Sequence, residues 1–200
     1  MKKLGFLLLN LFSISVFTIH LASAQKVEFG LKGGLNRTSI NDEQMVQDSE
    51  AKPRMGFHIG GLAHIHLNDT WAVQPEVMYS KEGAEYTSPI YTGKTDLNYI
   101  NVPVLLQYMV GTGLRIQTGP QVGYLTSAKY EQTNNVETKK NDIQNGNAAW
   151  VFGLGYLTKS GFGIDGRFNL GLSDIYKDGV YPGKAARTRA GQLGIFYQFK

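Results

Sequence analysis

The chain has 200 residues, a formal net charge of +4, 24 glycines, 11 tyrosines, 10 phenylalanines and no cysteine. The missing cysteine excludes disulfides, thiolate nucleophiles and Cys-based metal sites, and a nearly balanced charge without a Lys/Arg stripe excludes a nucleic-acid surface. Abundant glycine and aromatic residues, with no long segment of helical periodicity, favour closely packed β structure.

Residues 1–24, MKKLGFLLLNLFSISVFTIHLASA, combine a basic start at Lys2 and Lys3, an apolar middle and a small-residue end at Ala22-Ser23-Ala24. That is the three-part pattern of a secretory signal peptide. A transmembrane helix is the rival reading, opposed by Asn10, Ser13, Ser15 and Thr18 within the stretch. Cleavage before Gln25 would remove two lysines and lower the net charge to +2. Residues 25–200 then form one domain, in which no apolar run reaches the roughly 18 residues of a membrane helix.

Alternation of period two predicts eight strands, near residues 26–39, 54–67, 71–82, 96–109, 114–128, 147–158, 162–173 and 188–199. The connections alternate in length: NDT, GTG and KSG are short, whereas NDEQMVQDSEAKP, the segment around GAEYTSPIYTGKT, YEQTNNVETKKNDIQNG and DIYKDGVYPGKAAR are long. Short turns at one rim and long loops at the other are the arrangement of an outer-membrane barrel. The expected fold is therefore all-β, an eight-stranded antiparallel up-and-down transmembrane barrel.

Each strand has one apolar face. Strand one separates Val27, Phe29, Leu31 and Leu35 from Glu28, Lys32 and Asn36; strand seven separates Phe162, Ile164, Phe168 and Leu170 from Asp165, Arg167 and Asn169. A soluble lipocalin-like barrel would turn the apolar faces inward, a membrane barrel outward. Aromatic residues decide for the membrane. Trp71, Tyr108 and Tyr156 fall at the short-turn rim and Tyr79, Tyr124 and Trp150 near the other, two belts of the kind that membrane interfaces select. Pro75, Pro103 and Pro120 fall inside strands, where bulges or unpaired positions are expected because proline lacks a ladder donor.

The motifs GLKGGLN (30–36), PEVMYSKEG (75–83), LNYINVPVLLQY (97–108), GPQVGYL (119–125) and GFGIDGRFNLGLSDI (161–175), in that order, resemble the PorT-like outer-membrane β-barrel family, whose members are small OmpX-like barrels of Gram-negative bacteria. The resemblance covers essentially all of residues 25–200. It implies an eight-stranded barrel with no shared catalytic residues, and a family-level link to secretion or assembly. Such barrels commonly finish on an aromatic residue, whereas here Phe199 is followed by Lys200.

The inward faces predict a lumen charge network. Lys32, Glu76 and Arg167 fall near mid-height, with Arg115, Asp165 and Glu28 lower, so that opposite charges can face one another across a bore only wide enough for side chains. His58, His64 and His66 share one face of strand two and read as lumen hydrogen-bonding groups rather than metal ligands, since no third ligand is fixed nearby. Gly161, Gly163 and Gly166 match G-x-G-x-x-G but lack the helix that a nucleotide site needs. They read as relief of crowding in a narrow barrel.

Neither cofactor nor catalysis is expected. The function expected is that of an integral, monomeric outer-membrane protein with a filled lumen and a structural or surface-interaction role; a narrow porin-like channel, a secretion accessory barrel and a lipid-modifying enzyme are the alternatives. Its expected partners are outer-membrane lipid and lipopolysaccharide, the barrel assembly machinery, and a protein met through the extracellular loops. Lys184, Arg187 and Arg189 offer charges for lipopolysaccharide phosphates, though ordinary solvated loop residues account for them as well.

Overall fold

A computed structural model describes residues 26–42, 50–88, 91–132, 135–137, 143–175 and 186–199. The expected signal segment 1–24, Lys184 and Lys200 lie outside these residues. The strands are β1 (Val27–Asp42), β2 (Glu50–His66), β3 (Trp71–Ser88), β4 (Tyr91–Val110), β5 (Leu114–Gln132), β6 (Asn135–Glu137), β7 (Gly146–Leu157), β8 (Phe162–Gly171) and β9 (Ala186–Gln198). Eight of them close a ring of antiparallel neighbours, β1-β2-β3-β4-β5-β7-β8-β9, with β9 returning to β1. The short β6, absent from the expected set, pairs only with the far end of β5.

Tight turns sit at one rim. In the β2–β3 turn the Asn68 side-chain oxygen accepts the backbone N–H groups of Thr70 and Trp71 at 2.9 and 2.8 Å, an Asx-type lock that needs no longer loop. Gly111 at φ 60° and Gly161 at φ 93° make the other two turns, in conformations that L side chains rarely adopt.

The strands outrun their expected limits at the opposite rim. β3 runs to Ser88 and β4 begins at Tyr91, with continuous pairing from Gly83↔Asp96 to Ser88↔Tyr91. The GAEYTSPIYTGKT segment is thus mostly ladder, not a long loop. Its alternation was hidden because the faces exchange character there: Leu97, Tyr99, Leu125, Ala128 and Ala84 are buried inside, and Asn98, Thr126 and Lys129 lie outside. Beyond the lipid band water surrounds the barrel, so the soluble-sheet rule returns.

The prolines produce gaps without bulges. Pro75 pairs with Val104, Pro103 with Gln121 and Pro120 with Trp150, while the bridges to Ala63, Glu76 and Val104 on their other sides are missing, and the register does not shift across any of them. A ring nitrogen without a proton removes one ladder bond and leaves the other edge intact. The register shifts lie elsewhere, between Pro53 and His58 in β2 and at Asn98/Tyr99 opposite β5. At the second, the Thr126 hydroxyl donates to the Asn98 carbonyl at 2.9 Å.

Candidate functional site

The interior is filled in layers. At mid-height Arg167, carried by β8, donates from both terminal nitrogens to Glu76 of β3 at 2.7 and 2.6 Å, a fork-to-fork pair across the bore. Its Nε is 2.8 Å from Asp165 Oδ2, and Asp165 also accepts from the Lys32 ammonium of β1. Two cations therefore meet two carboxylates with almost no exposure: 3% for Arg167 and 0% for Glu76 at the side chain. Gln74 donates to Glu76 at 2.7 Å, and Gln117 accepts from Gln107 at 2.9 Å and from Arg167 at 3.3 Å.

In the lower layer an amide stands between the charges. Arg115 donates to Gln198 Oε1 at 3.1 Å, and the Gln198 amide donates in turn to Glu28, so Gln198 links the two charges. Glu28 has its own cation in Lys26, at 2.6 Å on the rim. Above mid-height, the Asn36 amide nitrogen donates to Ser80 at 2.8 Å, and Ser80 donates to Glu82 at 2.9 Å. Asn36 Oδ1 lies 2.6 Å from His58 Nδ1. The outer end is apolar, with Ile40, Leu97, Tyr99, Leu125, Ile143 and Ile175 in one buried cluster. Between these layers a void of about 10 Å³ remains beside Lys32, Ser80, Asn101 and Arg167, about the minimum for a single water.

Glycine makes room for the central pair. Gly194 of β9 lies between Gly34 of β1 and Asp165 of β8 on the ladder. A Cβ there would sit 2.9 Å from Asp165 Oδ1, 3.1 Å from His58 Nε2 and 3.2 Å from Lys32 Cε. Gly194→Ala is expected to destabilise the barrel by about 1–3 kcal/mol through overpacking, read as a shift in the urea unfolding midpoint in lipid vesicles.

Outside, the wall is apolar on every strand over the lower part of the barrel, with Phe29, Leu31, Ile59, Val77, Val122, Leu154, Ile164 and Ile195 exposed. Trp71 stacks on Tyr108 at 4.9 Å at the short-turn rim, and Tyr156 stands exposed nearby on β7. Tyr79 packs on Phe57 at 5.9 Å, Tyr124 is exposed at the upper limit of the apolar band, and Trp150, somewhat lower, donates its indole N–H to Thr118 at 2.8 Å.

The family model for the outer membrane protein beta-barrel domain matches residues 23–177. This chain belongs to that family. It is an integral protein of the bacterial outer membrane, and the apolar wall is its lipid-facing surface. No curated protein matches the chain. Among solved structures it is similar to Ail, the attachment invasion locus protein of Yersinia pestis, at 16% identity and a TM-score of 0.52, covering 87% of this chain and 99% of that one. Neisserial surface protein A gives 13% identity and a TM-score of 0.57 with the same coverage. These likenesses show the fold.

Within the family barrel, His58 stands apart with Asn36, while His64 and His66 are in ring contact. His58 and His64 are buried, His64 Nδ1 lying 3.3 Å from Gln74 Oε1, whereas His66 is at the rim, its ring stacked edge-on against His64 at 4.5 Å. Among the described residues no three His, Cys, Asp or Glu side chains gather as a metal site. Of the G-x-G-x-x-G glycines, Gly161 makes a turn, Gly163 accepts the Phe196 ring against its backbone, and Gly166 faces outward.

The expected set omitted several residues on which the interior depends. Gln198, Gln117, Gln74 and Lys26 join the charges; on the outer wall, Phe162, Tyr197 and Phe199 form an aromatic run at the short-turn rim with centroids 4.8 and 5.2 Å apart. The glutamines were legible only as inward polar positions. Their role depends on which strands face across the bore.

Proposed function

We propose that this outer-membrane barrel is closed to solutes and acts through its outer surface, as a structural or surface-interaction protein, without catalysis. The observation that carries this reading is the continuous stack inside it: a glutamine-bridged lower layer, the Lys32–Asp165–Arg167–Glu76 cluster, and an apolar cap around Leu97, Tyr99 and Leu125. An ion crossing this bore would have to break a buried, bidentate pair, which costs several kcal/mol. Purified protein in planar bilayers is expected to give no steady ohmic conductance. Steady conductance would establish the narrow-pore reading instead.

The motif order from GLKGGLN to GFGIDGRFNLGLSDI supports a finer placement as a PorT-like barrel, with a supporting role in secretion or assembly. Residues 1–24 fit export by a cleaved signal, after which the barrel assembly machinery would insert a monomer. The charge network and the aromatic belts fit a scaffold role: the first holds the bore closed, and the second sets the depth of the barrel in the membrane.

A further inference from the structure

On the outer wall the apolar band ends at a common height. Arg37 stands ten positions above Val27 on β1, Arg189 ten above Phe199 at the end of β9, and Lys81 ten above Trp71 on β3. A tilted strand crosses the hydrocarbon in about 9 to 11 residues, so all three cations lie at the outer headgroup level. Lys81 is 3.8 Å from Asp96, which also holds Arg54 at 2.8 Å. Arg37 and Arg189 are different: both are exposed, and neither forms an ion pair with any described residue.

These two arginines are also neighbours. Arg37 faces Gly191 and Ser39 faces Arg189 across the β1–β9 ladder, which makes the arginines a diagonal pair with side chains about 7–8 Å apart at their bases. Two long arms starting at that separation can close on one phosphate. Below them the wall is hollow. Gly191 lies between Arg37 and Phe168, and Gly166 between Leu193 and Leu154, both facing outward; no side chain covers Gly191, and only the Leu193 Cδ2 approaches Gly166. The result is a groove of about 980 Å³ walled by Leu35, Met55, Phe168 and Leu193, with Arg37 at its upper end.

An apolar trough lined by Arg37, with Arg189 diagonally beside it and no ion pair to either among the described residues, is complementary to a lipid with an anionic head. We propose that it binds one phosphorylated, acylated glycolipid of the outer leaflet, with the phosphate between Arg37 and Arg189 and an acyl chain over Gly191 and Gly166. Guanidinium suits phosphate because its planar fork meets two oxygens at once. A zwitterionic phospholipid would bring its own cation to the pair. A second copy of the barrel meeting this face about a two-fold axis would crowd four arginines together. The proposal rests on the surface-acting reading above and adds the ligand class.

The test uses the full chain in phosphatidylcholine nanodiscs doped with bis-phosphorylated lipid A or with its dephosphorylated form, and counts retained glycolipid by native mass spectrometry. Wild type is expected to retain one bis-phosphorylated molecule and to bind the dephosphorylated form about tenfold more weakly. R37Q/R189Q should lose about tenfold, R37K/R189K less, and Gly191→Leu, which fills the trough and keeps both charges, should also weaken retention. Lys81→Gln should match wild type. Equal retention by R37Q/R189Q and wild type, an equal loss in Lys81→Gln, or recovery as a lipid-free dimer would overturn the proposal. Heat-shifted gel mobility reports folding in each variant. Conductance on the same samples separates the two readings: lost retention with a silent bilayer removes the lipid site alone, whereas ohmic current removes the closed barrel.

Discussion

Replacing Arg167 by methionine is expected to lower the unfolding free energy by about 3–5 kcal/mol, the cost of stranding buried charge. Its guanidinium neutralises two carboxylates, Glu76 through both terminal nitrogens and Asp165 through Nε. Without it, Lys32 alone would face both acids in a bore with room for about one water. The companion variant E76M/R167M removes one charge of each sign and leaves Lys32 and Asp165 matched, so most of the loss should return. Arg189→Gln removes a cation from an exposed site and should stay within about 0.5 kcal/mol. Urea titration in lipid vesicles, followed by tryptophan fluorescence, reads all three. If Arg167→Met behaved like Arg189→Gln, the lumen cluster would not hold the barrel together.

The ring was legible because period-two alternation over a dozen residues leaves few other arrangements, and three-residue connections force neighbouring strands to pair antiparallel. The upper ladder of β3 and β4 was not. A single assignment of faces, apolar outward, holds only where lipid touches the wall. Leu97 and Leu125 obey the opposite rule a few residues higher, and the register shifts at Pro53/His58 and Asn98/Tyr99 break the phase close to the change. Short polar sequences such as GAEYTS then read as loop.

The site divides along the same line. Parity along a strand names the inward residues, so Lys32, Glu76, Asp165 and Arg167 were nameable one strand at a time. Who meets whom depends on the stagger between strands and on closure of β9 onto β1, neither of which is written locally. Gly194 illustrates the gap. In sequence it is one glycine among 24; in the ring it is the missing side chain that lets Lys32 reach Asp165 past the strand between them. Arg115 and Glu28 share Gln198, because the closing strand inserts that amide between them.

Leu31→Arg carries the other large expected effect, a loss of about 2–4 kcal/mol for an arginine near the bilayer midplane. Leu31 is 61% exposed, four positions above Val27 and six below Arg37, close to the middle of the apolar wall. In water an arginine at so open a site would cost almost nothing, since it would displace a solvated leucine. The sign of the experiment therefore reports what touches the wall. Val27→Arg, on the same face at the rim, should cost only about 0–1 kcal/mol because its charge reaches the headgroups, and Lys129→Arg, above the outer belt, should be neutral. A protein partner covering the wall would penalise arginine wherever the two surfaces packed. Only a lipid slab predicts a penalty that peaks at mid-height and falls toward both rims, and urea titrations of the three variants in vesicles resolve that profile.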